Sequence, residues 1–413
     1  MRIAVVGAGV GGLATAASLA LAGMRCVVFE RAGGLPELAA GIQISPNGAR
    51  VLHRLGLGPA LRAVAATPAA LELRRWQDGR LIGRTELGAA AAERYGAPYY
   101  ALRRTDLSRM LLRAVVDRCG AGTVQFGRQC VGVDGSPDGA RLRFADGGTY
   151  DADIVVGADG IHSVVRRGVV ADAPRFTGYA VYRALVPAAR LPWLAGPPRV
   201  TVWLGPGQHC VCYPVGGSGA VNLVATVEAA WSPDGYARGD AGRLADAYRG
   251  WHRHVRALIA AADRLVHHGL FDRPAPRRWY RDRVALLGDA AHPMLPFLAQ
   301  GATQALEDAA TLAACLGGPD GLARYERLRR PRVDQVLAAV RENAERLHLP
   351  DGLRQRQRDR RLLAAGLSDQ DWLYGWEHPP RTRREPSDAD PDDRAVPDAD
   401  PCPPAPRPSG VAG

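Results

Sequence analysis

The first thirty residues constrain this chain more than any other stretch. Residues 2–6 (Arg-Ile-Ala-Val-Val) and 25–30 (Arg-Cys-Val-Val-Phe-Glu) are short apolar runs with the character of buried strands. Between them the turn Gly7-Ala8-Gly9-Val10-Gly11-Gly12 opens an Ala- and Leu-rich helix over 11–23 that ends near Gly23. A β-α-β unit of this kind commits the chain to a parallel sheet covered by helices. Gly7 permits the tight turn, Gly9 lets backbone amides approach a pyrophosphate, and Gly12 lets the helix pack close to the strand. The helix N-terminus then faces the phosphates with its positive dipole end. Glu30, closing the second strand, is placed to bind the adenosine ribose hydroxyls, and its neighbour Arg31 joins it as a cofactor contact. In this context the glycine pattern predicts dinucleotide binding.

Composition narrows the classes further. At 413 residues the chain can hold one large domain or two interleaved ones. A net charge of +11 invites a nucleic-acid or membrane partner, but the chain has no lysine and all 53 basic residues are arginine. These arginines are scattered among acidic residues rather than gathered into a stripe, so neither partner is expected. Without lysine there is no Walker A lysine and no Schiff base. The seven cysteines are odd in number and dispersed, which fits reduced thiols in a cytoplasmic protein. Cys210 and Cys212 share one face of an alternating strand and lack a second pair at zinc spacing, so no metal is expected. The apolar stretch through Met24 is broken by glycines at 7, 9, 11 and 12, unlike a signal helix. No other apolar run is long enough to span a bilayer.

Farther along, helices are predicted at about 46–56 and 105–118, with strands over 71–84, 123–134, 140–146 and 153–157. From 176 to 227 the pattern changes to long alternating strands: Tyr179–Val186, Arg199–Leu204, Cys210–Val215 and Ala220–Val227. These predict a second, mostly antiparallel and half-exposed sheet. Helical patterns cover 240–262, about 302–316 and 322–348, with a buried strand at Val284–Leu287.

Two further segments decide which dinucleotide is bound. One is Asp151-Ala-Asp-Ile-Val-Val-Gly-Ala-Asp159-Gly160-Ile-His-Ser-Val-Val-Arg166. The other runs from Val284 through Gly288-Asp289, Pro296 and Gln300-Gly301 to Asp308. With the N-terminal loop they resemble, in order and spacing over residues 1 to about 335, the three signatures of the single-component FAD-dependent aromatic hydroxylases, the family of p-hydroxybenzoate hydroxylase. The resemblance implies an α/β fold in which a Rossmann-type FAD-binding domain (1–73, 100–175 and 273–335) is interleaved with a smaller substrate domain (74–99 and 176–272). A C-terminal helical region (336–377) would follow, and residues 378–413, dense in Pro, Asp and Arg with almost no large apolar side chains, are expected to form a disordered tail. In Gly288-Asp289 the acid would bond the ribityl chain, and the Pro296–Gly301 loop would lead into a helix whose N-terminal amides stabilise charge on a reduced flavin. Arg104 matches a family arginine on the cofactor, and the main chain near Cys130 would lie against the adenine. The bland alternative for each acid is a strand-end cap. No second glycine pattern occurs, so NADH or NADPH would bind transiently, with Asp159-Gly160 the family element associated with it.

Finer similarity points to the salicylate, 3-hydroxybenzoate and 6-hydroxynicotinate hydroxylases, carried by Leu87–Leu107, Gly122–Leu185, Ala299–Ala302 and Asp371–Trp376. That group places a His and a Tyr four residues apart on a strand facing the substrate; here the pair is His209 and Tyr213, on one face by two-residue periodicity. The His would take the phenol proton and the Tyr would orient the substrate oxygen; a His and Tyr merely packed in a sheet is the alternative. Gln300 could bond a ring substituent. At Gln43 the 6-hydroxynicotinate enzymes carry a His, a departure that weakens a pyridine substrate. Arg183 could anchor a carboxylate or make a structural ion pair, and the histidine pairs His252 with His254 and His267 with His268 are read as surface residues. The resemblance implies that a small phenolic acid is hydroxylated through a flavin C4a-hydroperoxide formed with O2, with or without loss of CO2, by a monomer or homodimer. A tailoring hydroxylase of a larger natural-product phenol is one alternative, and an FAD oxidoreductase without oxygen insertion is another.

Overall fold

The structure, a computed structural model, describes residues 1–36, 40–230 and 237–377. Ile3–Val6 is buried along its whole length because it lies inside a six-stranded sheet. The order is Tyr280–Arg281, Val284–Leu286, Ile154–Gly157, Ile3–Val6, Cys26–Glu30, Val124–Phe126. Every pairing is parallel except that of the edge strand Tyr280–Arg281. The uninterrupted Val, Ile and Ala runs of these strands suit a sheet covered on both faces. The helix Val10–Leu21 packs on this sheet and against the helices Gly301–Cys315 and Arg104–Cys119, and small side chains permit the close approach: Gly11 stands against Leu287 and Ala305. A three-stranded antiparallel sheet (Cys130–Gly135, Ala140–Phe144, Thr149–Ala152) adds Phe144, whose ring lies 4.8 Å from that of Phe29.

The second sheet has eight strands. From one edge they are Ala237–Arg238, Val266–Asp272, Arg175–Pro187, Ala220–Glu228, Gln208–Val215, Arg199–Gly205, Ala70–Arg75 and Leu81–Glu86. All pairings are antiparallel except Arg199–Gly205 with Ala70–Arg75. Its central strands are buried on both faces, which corrects the half-exposed expectation. One face packs against helices Ala241–Ala247 and Arg253–Ala260 through Trp203, Tyr248 and Trp251; the other meets the helix Gly321–Leu347 and the Pro296–Leu298 turn.

Two expected boundaries also move. The substrate sheet begins at Ala70 rather than residue 74, and a single 27-residue helix, Gly321–Leu347, runs through the boundary placed at 335/336. Periodicity missed the helices Gly58–Val64 and Gly88–Tyr95, the strand Val266–Asp272, and the ribbon of Gly41–Ile44 with Tyr100–Arg103, whereas the helix Leu353–Ala364 falls within the helical region expected over 336–377. The 240–262 helix is two short helices. The tail assigned to 378–413 lies outside the described residues. No helix among the described residues is long and apolar enough to cross a membrane.

Candidate active site

The glycine loop behaves as its spacing requires. Gly7 has φ +104°, and a Cβ there would sit 2.5 Å from the Ala158 carbonyl oxygen. A Cβ on Gly12 would lie 1.9 Å from the Gly7 oxygen, so only glycine lets the helix start against the strand. A Cβ on Gly9 would meet nothing within 4 Å, leaving open space in front of the helix. The Glu30 carboxylate accepts from Ala8 N–H at 2.8 Å and Ala32 N–H at 2.9 Å, which fixes the loop to the end of the second strand. Arg128 N–H donates to the Glu30 carbonyl, bringing the Cys130 strand to the same end, while Arg31 is exposed beside it.

The two later motifs are joined by one buried arginine. Asp159 accepts from Ser163 Oγ at 2.5 Å and from the amides of Val164 and Val165, and Gly160 takes φ +78°. The carboxylate thus caps the short 3-10 turn Val165–Gly168. That turn carries Arg166, which is fully buried and pairs with Asp172 while donating to the carbonyls of Pro274, Ala290 and Ala291. The segment expected to serve the nicotinamide therefore also holds the main chain behind Asp289.

Asp289 ends the third motif with its side chain exposed. The surrounding protein raises its pKa, opposed by the positive charge of Arg104 at the start of helix Arg104–Cys119. A Cβ on Gly301 would stand 3.8 Å from Asp289 Oδ1, so Arg104, Asp289 and the N-terminus of helix Gly301–Cys315 converge. Pro296 starts the turn Pro296–Leu298, and Ala299 follows at φ +53°, a left-handed conformation strained for alanine. Neither helix N-terminus at the site has a side-chain cap. Two uncapped N-termini, open space at Gly9 and an outward carboxylate fit a diphosphate linked to a polyhydroxyl chain, which is the chemistry of FAD.

Behind the helix Gly301–Cys315 lies a buried polar network. Asp308 accepts from Gly288 N–H at 3.0 Å, from Arg329 Nε at 2.7 Å and contacts His292 Nε2 at 2.6 Å. Glu307 is bonded by Asn47, Arg329 and Arg332. Gln300 is 1% exposed, its amide nitrogen donating to Ser45 Oγ and its oxygen accepting from Asn47 and Gln304. Its side chain is spent inside this network, which corrects the expectation that it faces a ring substituent. Sequence reading did not single out Arg329; its signal was the adjacent buried acids Glu307-Asp308.

His209 (4% exposed) and Tyr213 (2% exposed) do share one face of Gln208–Val215, with Cys210 and Cys212 on the other. His209 Nδ1 lies 2.8 Å from Nε2 of His348 and 3.2 Å from Thr226 Oγ1, and its ring meets Phe297 edge-on at 5.5 Å. Burial, then His348, pushes its pKa down to about 3. Tyr213 shares a hydrogen bond with Gln43, whose Oε1 accepts from Tyr99 Oη at 2.9 Å. A Cβ on Gly41 would fall 2.9 Å from the Tyr213 ring, so glycine admits the strand carrying Gln43. Arg183 and Val211 pair with the same residue, Val224, from opposite sides; this places Arg183 on the His209 face, where it donates to His268. His252, His254, His267 and His268 are half-buried rather than fully at the surface: His254 stacks on Trp193 at 4.3 Å and His267 on Tyr182 at 5.3 Å. His348 and Tyr99 carried no sequence signal beyond residue type.

A family model described as FAD binding domain matches residues 1–340. A 3-amino-4-hydroxybenzoate 2-monooxygenase from Streptomyces platensis is 48% identical over 387 residues, 92% of this chain and 97% of the relative. A 3-hydroxybenzoate 6-hydroxylase from Klebsiella oxytoca is 34% identical, covering 91% and 97%. Among solved structures, a salicylate hydroxylase substrate complex superposes with a TM-score of 0.77 at 28% identity, covering 91% of this chain and 96% of that one.

Proposed function

The chain belongs to the FAD binding domain family as an FAD-dependent aromatic-ring monooxygenase, and from that membership we propose that it hydroxylates an amino-hydroxybenzoic acid of the 3-amino-4-hydroxybenzoate pattern, at the carbon between the carboxyl and amino groups. The observation that carries this reading is the 48% identity over nine-tenths of the chain to an enzyme of that name, against 34% to a 3-hydroxybenzoate hydroxylase. No CO2 is lost, because the attacked carbon bears hydrogen.

Electron transfer and oxygen activation are supplied by FAD with NADH or NADPH and O2 when bound. The chain's own residues hold and polarise the ring. The attacked carbon is meta to the hydroxyl and ortho to the nitrogen, so the electron density it needs comes from the amine. As oxygen is transferred the nitrogen turns cationic and its N–H becomes acidic. His209, dry and neutral at physiological pH, is suited to accept that proton at Nε2, whereas its depressed basicity suits an ordinary phenol poorly. Tyr213 and Gln43 would hold the hydroxyl, and Arg183 would face the carboxylate. Gly7, Gly9, Gly12, Glu30, Arg31, Arg104, Cys130, Asp159, Gly160, Gly288, Asp289, Pro296 and Gly301 make up the proposed cofactor surround. The buried free thiols accord with the cytosol as its place.

Stopped-flow reduction by NADH and product mass spectrometry test this with 3-amino-4-hydroxybenzoate, 3-hydroxybenzoate, salicylate and 6-hydroxynicotinate. The aminated acid should accelerate flavin reduction most and yield a product heavier by one oxygen; faster turnover of a non-aminated acid would refute the substrate. His209→Ala should retain FAD and lose turnover.

A further inference from the structure

The long helix Gly321–Leu347 ends at His348, which is fixed from both sides. Its N–H donates to the Glu345 carbonyl and its own carbonyl accepts from Gly207 N–H at 3.0 Å, on the turn before His209. Leu349-Pro350 follows and stops the helix. The imidazole is thereby delivered to the substrate-facing sheet. Its Nε2 lies 2.8 Å from His209 Nδ1, with ring centroids 5.0 Å apart at 28°. Phe297 stands edge-on to both rings, at 5.5 and 5.4 Å, and Tyr179 stacks on His348 at 5.6 Å.

This geometry answers a difficulty in the proposed chemistry. For His209 to take a proton at Nε2 it must already carry one on Nδ1, and that N–H needs an acceptor. A second proton left on so dry a ring would be costly. We propose that His348 is a positioning and proton-relay residue: it holds His209 in the tautomer with Nε2 free, then receives the Nδ1 proton and passes one from its own Nδ1 to solvent. The inference rests on the reading of His209 as the group that accepts the substrate proton.

The step balances. An N–H bond forms at His209 Nε2 as the one at Nδ1 breaks; another forms at His348 Nε2 as the one at Nδ1 breaks. The charge moves from a buried ring to a half-buried one. Tyr179 leads outward, since it also lines a surface cleft of about 520 Å³ together with Glu228 and Arg243. The titratable groups around the pair are Tyr179, with Glu228 beside it, and Tyr248, whose phenol donates to the His209 carbonyl. Burial holds His348 at about 4 and His209, further depressed by His348, at about 3, an order that favours movement outward.

The test uses the FAD-loaded enzyme and the variants His348→Phe, His348→Gln and His209→Ala. Flavin content and the rate of flavin reduction report assembly; single-turnover hydroxylation against pH, in H2O and D2O, reports the relay. His348→Phe should keep FAD and its reduction rate, hydroxylate at least about tenfold more slowly, and recover with exogenous imidazole or at raised pH. His348→Gln, which retains an acceptor, should lie nearer the parent and decides the matter if the Phe variant fails to assemble. Unchanged hydroxylation and pH profile in the His348 variants, with His209→Ala impaired, would overturn the relay alone. An unimpaired His209→Ala would instead overturn the role of His209 itself. Equal slowing of both His348 variants, without imidazole rescue or pH dependence, would reduce His348 to packing and also overturn the relay.

Discussion

Gly9 and Gly12 belong to one loop, yet the structure assigns them separable roles, and alanine at each position tests that assignment. At Gly12 the new Cβ would lie 1.9 Å from the Gly7 carbonyl oxygen. Ordinary contact requires the helix Val10–Leu21 to retreat by more than about 1 Å, since the obstacle is backbone and cannot rotate away. Overpacking of this kind costs roughly 1–3 kcal/mol, and a main-chain clash belongs at the upper end. Alanine's better helix propensity returns about 1 kcal/mol. The net loss is then about 2 kcal/mol in the cofactor-free protein, and FAD binding falls with it because the helix N-terminus has moved. At Gly9 the backbone (φ −71°, ψ −177°) is one that alanine adopts freely, and its Cβ would meet nothing within 4 Å. Gly9→Ala should therefore leave cofactor-free stability within about 0.5 kcal/mol while weakening FAD tenfold or more, its methyl standing where the diphosphate approaches. Thermal melts of the stripped proteins and flavin titration separate the two quantities. Parental FAD affinity in Gly9→Ala, or a parental melt in Gly12→Ala, would refute the reasoning.

Arg166→Met should cost about 3–5 kcal/mol, because the buried carbonyls of Ala290 and Ala291, the part-buried one of Pro274 and Asp172 lose their donor; a melt lowered by less than about 1 kcal/mol equivalent would show that Arg166 does not hold the Asp289 segment. Stability should also fall on acidification between about pH 6.5 and 4. His209 and His348 have folded pKa values of about 3 and about 4, so the unfolded chain binds more protons there, and His209 alone accounts for roughly 2 kcal/mol by pH 5. Asp308, which burial would raise but His292 and Arg329 hold at about 2, is unchanged across that window and begins to matter only below about pH 4. Urea midpoints that stay flat from pH 8 to pH 5 would contradict this.

Local signals were legible in the sequence where geometry is dictated by a few adjacent residues. The loop from Gly7 to Gly12, the acid at Glu30 and the alternation separating His209 and Tyr213 from Cys210 and Cys212 all reappear in three dimensions. Contacts joining distant segments were not. The cap that Asp159 makes on Val164 and Val165 is local, but nothing near it shows that Arg166, seated by that turn, acts on carbonyls at Ala290 and Ala291. Gln300 reads as a site residue until Ser45, Asn47 and Gln304 fill its hydrogen-bonding capacity. His348 is unreadable for the same reason: its relevance comes from where a 27-residue helix ends, not from its neighbours. The half-exposed reading of the second sheet failed because alternation between polar and apolar residues records hydrogen-bonding character as well as solvent; a buried face whose His209 and Tyr213 bond to other side chains is polar too.

The two faces of the strand Gln208–Val215 also bear on how long such an enzyme survives its own chemistry. A monooxygenase that releases its oxidant without using it makes hydrogen peroxide beside its substrate. The side chains on the face proposed to receive the substrate are an imidazole, a valine and a phenol; the sulfurs of Cys210 and Cys212 point away from it, fully buried, with burial holding both in the thiol form. Thiolate is the form that peroxide attacks. The strand's pleat therefore works as a shield, and a one-residue slip in its register would bring the most oxidisable atoms of the sheet to the place where the oxidant is made.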